Sequence, residues 1–257
     1  MFKASIIATA ITAASFSGSA FAGFINGDFE LGNTTGWTMG SGSRSSVTNA
    51  NLNPSAFLPG GNRYSNGMVH SSIVSSGTAP HTDGKLNQVY SGQYSMRVED
   101  TTYGGYASVI TQKVSNYNDK EIFFAWAAVL EGAHGTNEAA TFQLVLRDET
   151  VGKNLIKREY NAATGGSGVD GRFTKSSDGY FYTSWQVEQM ALEADAIGHD
   201  LSLTLLAADC SPTGHAGYVY LDGFGRVAPP TGVPVPGVLA LMGLGLTGLA
   251  VARRRKA

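Results

Sequence analysis

Few side chains in this 257-residue chain stand at spacings suited to covalent chemistry. The five histidines, His70, His81, His134, His199 and His215, form no His-Glu-x-x-His pair and no other metal-ligand spacing. No Gly-x-Ser-x-Gly elbow presents a nucleophilic serine. Cys210 is the sole cysteine, with His215 five residues on. A thiol beside an imidazole can act as a nucleophile, although a lone cysteine in a Gly/His-rich stretch is more often an inert loop thiol. Glycoside hydrolysis needs two carboxyl groups ~5–9 Å apart. Glu131 and Glu138, which flank Gly132-Ala133-His134-Gly135, are the first suspects, against the plainer reading of a solvated hairpin loop. Non-covalent chemistry is better represented. A flat aromatic ring with polar neighbours can stack on a pyranose face. Tyr103 and Tyr106, in the glycine turn Thr101-Thr102-Tyr103-Gly104-Gly105-Tyr106, have that character, and Trp185, Tyr180 and Tyr182 are further candidates. Trp126 lies in an apolar run and reads as core.

The elements that must position these residues lie between two targeting segments. Residues 1–22 read as a secretory signal peptide: Lys3 is the basic start, Ile6 to Phe16 a short apolar core, and Ala20-Phe21-Ala22 the small residues of a cleavage site. The body, residues 23–228, is long enough for one substantial core. It carries 13 basic against 20 acidic residues, all the remaining basic ones lying in the two flanking segments. An acidic surface argues against a nucleic-acid partner, since phosphate binding wants a basic face. One cysteine excludes an intrachain disulfide, so the fold rests on its core, with or without a metal ion.

The body's rhythm is that of strands. Apolar residues alternate in Tyr94 to Glu99, in Phe142, Leu144 and Leu146, in Leu201, Leu203 and Leu205, and in Val219 and Leu221. Tyr106 to Val114 and Tyr180 to Gln189 read as strands, and Leu155 to Tyr160 as a more exposed one. Glu121 to Leu130 is apolar on both faces, which predicts a central strand covered on both sides. Residues 40–92, rich in Ser, Gly and Asn, are expected to form a long surface loop with short edge strands near Met68 to Val74. Met190 to Ala196 is expected to make about one helical turn. Around ten short strands without crossover helices predict an all-β sandwich.

The tail, residues 229–257, is a Pro-rich hinge, an apolar span and a basic end. Gly237 to Ala252 carries no charge, and its sixteen residues would make a helix of ~24 Å, just short of a ~30 Å bilayer core. Arg253, Arg254, Arg255 and Lys256 would hold the end on the cytoplasmic side of the inner membrane. Pro234, Pro236 and Gly237, the apolar MGLGLTGLAVARRRK stretch and the arginine cluster together resemble the PEP-CTERM sorting signal of Gram-negative bacteria. Val235 stands where that family's glutamate is usual. The resemblance implies export, transient membrane anchoring, processing by an exosortase near Pro234 to Gly237, and release to the cell surface or extracellular matrix. Ala228-Pro229-Pro230-Thr231-Gly232 also comes near the Leu-Pro-x-Thr-Gly motif of sortase substrates but lacks its leucine.

Three patterns within the body sharpen the sandwich. Asn26-Gly27-Asp28-Phe29-Glu30 with Gly36-Trp37, then Ser91 to Val98, then Gly214 to Phe224, resemble the galactose-binding-like jelly roll of many carbohydrate-binding modules. That resemblance implies a jelly-roll β-sandwich with a structural Ca²⁺ shared by the first and last strands, for which Asp28, Glu30 and Asp222 are the matching residues. It also implies polysaccharide as partner, with Tyr103, Tyr106 and Trp185 as stacking candidates. The expected function is a non-catalytic surface or matrix protein binding polysaccharide in the envelope or biofilm. The alternatives are a structural or adhesive matrix protein without a sugar site, and an extracellular polysaccharide hydrolase.

Overall fold

The computed structural model describes residues 23–225. The expected signal peptide and sorting tail lie outside them. The twelve strands are β1 (Thr38–Ser43), β2 (Ser72–Ser75), β3 (Tyr94–Val98), β4 (Tyr106–Val114), β5 (Glu121–Glu131), β6 (Thr141–Asp148), β7 (Lys153–Asn161), β8 (Phe173–Lys175), β9 (Tyr180–Thr183), β10 (Gln186–Ala191), β11 (Leu201–Ala208) and β12 (Gly217–Asp222). They form two antiparallel sheets, β1-β4-β11-β6-β7 and β2-β3-β12-β5-β9-β8, with β10 pairing to the first half of β5. The chain passes from one sheet to the other at β1–β2, β3–β4, β4–β5, β5–β6, β7–β8, β10–β11 and β11–β12, the wrapping of a jelly roll.

Side-chain alternation divides the burial into three layers. Phe124, Trp126, Phe142, Leu144, Leu203, Leu205, Val219 and Leu221 point between the sheets and fill the central core. Trp126 meets Phe142 with ring centres 5.2 Å apart. The opposite face of the larger sheet carries Ala127, Val129, Tyr180, Tyr182, Tyr218 and Tyr220, covered by Ala79 and Leu86. The outer face of the smaller sheet carries Ala107, Val109, Leu206 and Ala208 under Leu52 and Phe57. Cover on both faces explains why every residue from Ile122 to Leu130 is buried, as the continuous apolar run predicts.

Two expectations are corrected. Thr38–Ser43 is a strand where a loop was expected to begin, pairing along its whole length with β4. Its glycines are required there: a Cβ on Gly40 would run into the Phe57 carbonyl and one on Gly42 into that of Arg63. The 57–63 segment thus lies on backbone, leaving no hydrophobic alternation to read. Met190 to Ala196 makes no helix: Gln186–Ala191 is a strand whose alternating burial comes from its register on β5, and a turn follows.

Candidate functional site

The smaller sheet ends in β1 and the larger in β2, and a groove of about 580 Å³ opens between these two edges. Segment 64–69 forms its outer wall. That segment is held by Ser65 N–H donating to the Ser41 carbonyl at 2.9 Å and Met68 N–H to that of Ser65 at 3.1 Å. Tyr64 and Met39 supply half-buried apolar faces, and Val69 is 73% exposed at the rim. Asn33, Asn66, Thr34 and Ser72 supply amides and hydroxyls, and no charged residue among the described residues lines the groove. A space of this size with an aromatic ring and scattered neutral polar groups matches the general chemistry of a small-ligand site.

A buried polar chain backs the groove wall. The Ser41 and Ser108 hydroxyls meet at 2.6 Å, and Ser108 donates to Glu99 Oε2 at 2.7 Å. The Glu99 backbone N–H donates to Ser71 Oγ at 3.3 Å. Glu99 is fully buried at a left-handed φ of 66°, and burial, reinforced by Asp209, pushes its carboxyl well above the ordinary range. His70 Nδ1 lies 3.3 Å from Glu99 and 3.2 Å from Asp100. Glu99 and Asp209, both fully buried, are sealed from a polymer.

The aromatic residues singled out in the sequence do not share one platform. Tyr103 is 59% exposed beside Tyr180. Tyr106 is half-buried, stacked on the His70 ring at 4.2 Å. Trp185 donates from Nε1 to the Asn87 carbonyl at 2.9 Å, with its ring against Tyr90 and Tyr220. Residues 76–89 cross this outer sheet face as a strap. Tyr218 donates to the Pro80 carbonyl at 2.6 Å, His81 stacks on Tyr180 at 3.9 Å and bonds Asp178 at 2.6 Å, and Asp83 accepts from Ser177 Oγ at 2.6 Å. Tyr180, Tyr182, Tyr218 and Tyr220 are therefore strap-covered core, and Trp185 is one of the strap's fastenings. Tyr64, which lines the groove, was missed because it sits in the Gly/Ser/Asn-rich stretch.

Asp28, Glu30 and Asp222 lie where the two ends of the body meet, joined by Phe224 N–H donating to the Gly27 carbonyl at 2.9 Å. Asp222 Oδ2 accepts from the Tyr90 and Ser91 amides at 2.9 and 3.0 Å. Glu30 Oε1 accepts from the Gln93 and Tyr94 amides at 2.9 and 3.0 Å. Loop 90–94 thus serves both carboxylates. The three do not converge as ligands: among the described residues, the triads whose donor atoms come within 4.8 Å are His70, Glu99, Asp100 and His134, Cys210, His215. Glu30 is turned onto backbone amides instead. Asp222 nonetheless fits a cation: it is fully buried, its Oδ1 meets no hydrogen-bond donor in bonding geometry, and burial pushes its carboxyl up to about 7.

The covalent candidates are less accessible. Cys210 Sγ lies 3.4 Å from His215 Nδ1, but Cys210 is fully buried. Glu131 Oε2 accepts from the Tyr180 hydroxyl and the Ala216 amide, both at 3.0 Å, which fixes it as a loop fastening. Glu138 is exposed.

No protein-family model and no curated protein sequence matches the chain. Solved structures do. The carbohydrate-binding module TmCBM61, solved with β-1,4-galactotriose, is 10% identical over 79% of this chain and 96% of its own, with a TM-score of 0.40. The non-crystalline-cellulose-specific module CBM28 is 14% identical over 79% and 92%, at 0.37. A cyclase from Fischerella sp. TAU is 10% identical over 77% and 92%, at 0.38. The chain is thus similar to carbohydrate-binding modules and to a cyclase alike, while its own strand pairing makes it an all-β sandwich of two antiparallel sheets.

Proposed function

We propose that this chain is a non-catalytic, exported protein that binds neutral polysaccharide in the groove between β1 and β2. The observation that carries this reading is the groove itself: open, uncharged among the described residues, and lined by Tyr64, Met39, Asn33 and Asn66. A neutral sugar offers an apolar ring face and peripheral hydroxyls, and those lining groups complement both. Tyr103, exposed at 59%, is a separate stacking candidate outside the groove lining. The tail sequence supports sorting by an exosortase-type enzyme through Pro234, Pro236, Gly237 and the terminal arginines, with delivery to the surface or matrix. Asp222, through its Oδ1, would hold a structural Ca²⁺ that supplies counter-charge where the first and last segments join, with Glu30 left to the Gln93 and Tyr94 amides.

The test is electrophoresis of the purified full-length protein in native gels cast with different neutral polysaccharides. Retardation in one polymer, lost in Tyr64→Ala at unchanged melting temperature, is the expected result. A folded protein that migrates freely in every polymer would refute the glycan reading and leave a structural or adhesive role. Removing residues 233–257 should redirect the protein on cell fractionation; unchanged distribution would refute sorting by the tail.

A further inference from the structure

The β5–β6 loop and the β11–β12 loop bring together three side chains remote in sequence. His134 Nε2 lies 3.0 Å from His215 Nδ1, and Cys210 Sγ lies 3.4 Å from the same nitrogen. All three donor atoms fall within 4.8 Å of one another. The geometry points to a transition-metal site of one thiolate and two imidazoles, made by Cys210, His134 and His215, for an ion of the zinc or copper class.

Proton counting favours a metal over a hydrogen-bond cluster. His215 Nδ1 has either one lone pair or one proton. As an acceptor it cannot take both the His134 N–H and the Cys210 S–H along its single lone pair. As a donor it must split one proton between two acceptors. A metal ion among the three satisfies all of them at once. The spacing also fits. Bonds of ~2.05 Å to nitrogen and ~2.3 Å to sulfur, at tetrahedral angles, set nitrogens about 3.3 Å apart and nitrogen and sulfur about 3.6 Å apart. The observed 3.0 and 3.4 Å are close to that triangle, slightly contracted.

The loops hold this triangle in advance. Glu131 N–H donates to the Ala216 carbonyl at 2.9 Å, Ser211 N–H to that of Glu138 at 2.7 Å, and Cys210 N–H to that of His215 at 2.9 Å. Thr164 N–H holds the His134 carbonyl at 2.9 Å, while His134 itself sits at a left-handed φ of 60° that fixes where its ring points. Cys210 is buried and the two histidines are half-exposed, so a fourth ligand position faces solvent. Sulfur with imidazole selects borderline and soft ions over the hard Ca²⁺, which separates this site from the Asp222 seam.

The experiment is a zinc titration of the stripped full-length protein in detergent against a chromophoric chelator, with Co²⁺ and copper as spectroscopic arms. One zinc per chain is expected, insensitive to excess Ca²⁺, with a thiolate-to-cobalt charge-transfer band that vanishes in Cys210→Ser. His134→Asn, which keeps a residue tolerant of positive φ, should weaken zinc at least about a hundredfold, since even outer-sphere losses cost 10–100-fold. Copper bound in preference to zinc, with a thiolate band, would support the same site and identify its ion. Zinc binding unchanged in both Cys210→Ser and His134→Asn, or no stoichiometric zinc in the parent protein, would overturn the assignment. Should Cys210→Ser fail to fold, the half-exposed His134 and His215 variants decide alone.

Discussion

Arg44 is a fully buried guanidinium with no carboxylate as its direct partner among the described residues. It donates from Nε to the Val47 carbonyl at 2.9 Å and from Nη1 to the Ala139 carbonyl at 3.2 Å. It also reaches the Asp209 carbonyl and Asn49 Oδ1. These acceptors belong to the segment after β1, the β5–β6 loop and the end of β11, so one side chain clamps three segments. Arg44→Ala orphans four acceptors, at roughly 2 kcal/mol each, about 8 in all. Part is offset, because burial already lowers the Arg44 pKa from 12.5 to about 10, a strain of ~3 kcal/mol that the variant releases. Water entering the vacated volume satisfies some carbonyls, leaving a net loss of roughly 4 kcal/mol. Arg44→Met should be nearly as harmful. Replacing a buried ion pair with apolar groups is tolerated when both partners go, but backbone carbonyls cannot be mutated away. In urea, with m near ~2 kcal/mol/M, the Arg44→Ala midpoint should fall by about 2 M. A shift under ~0.5 M, or Arg44→Met as stable as the parent, would refute the clamp.

Other outcomes follow from the same contacts. Glu188 accepts from Trp126 Nε1 at 3.0 Å and grips Arg158 Nε and Nη2 at 2.7 and 2.6 Å, so Glu188→Ala should cost about 2–3 kcal/mol by denaturant melts. Tyr218→Phe removes the hydroxyl that holds Pro80, and should speed proteolytic cleavage within residues 76–89 while moving global stability by only ~1 kcal/mol. Because the folded-state pKa of Glu99 is raised above its ordinary 4.5, its contribution is fully present below pH 4.5 and lost as pH rises towards the folded value. Glu99→Gln should remove that downward slope in a pH series of urea midpoints; parallel curves for parent and variant would count against it. If Asp222 holds calcium, a chelator should lower the melting temperature of the parent protein but not of Asp222→Asn.

The regular strands were legible because burial on one or both faces writes itself into side-chain alternation. Phe142, Leu144 and Leu146 of β6, and the continuous apolar run of β5, are examples. What escaped was structure made by backbone contact. Gly40 and Gly42 bear no side chain, yet their closeness to the Phe57 and Arg63 carbonyls builds one groove edge. Tyr64 and Arg44 lay in the same Gly/Ser/Asn-rich texture, where nothing in the pattern separates a groove residue or a buried clamp from a solvated one. Trp185 reads as an exposed aromatic until the strap that covers its sheet face is seen. The pairing of Cys210 with His215 was visible at a spacing of five, but His134, 81 residues before His215, enters only through the meeting of two loops. Phe24 to Glu30 and Asp222 were legible as neighbours, whereas the turning of Glu30 onto the Gln93 and Tyr94 amides was not.

The position of β12 bears on how the molecule comes into being. It is the last strand among the described residues, yet it lies in the interior of the larger sheet, hydrogen-bonded to β3 on one side and β5 on the other. Until Gly217–Asp222 has been delivered, the β2–β3 hairpin and the β5, β8, β9, β10 group have no strand to join them, and each leaves an open edge. Until then the larger sheet is two unfinished halves, although every strand of the smaller sheet has been synthesised by Ala208. Completion is a single late insertion that closes both edges and brings Phe224 onto Gly27. The larger sheet therefore cannot close until Asp222 has been synthesised, and both edges flanking β12 stay open until then.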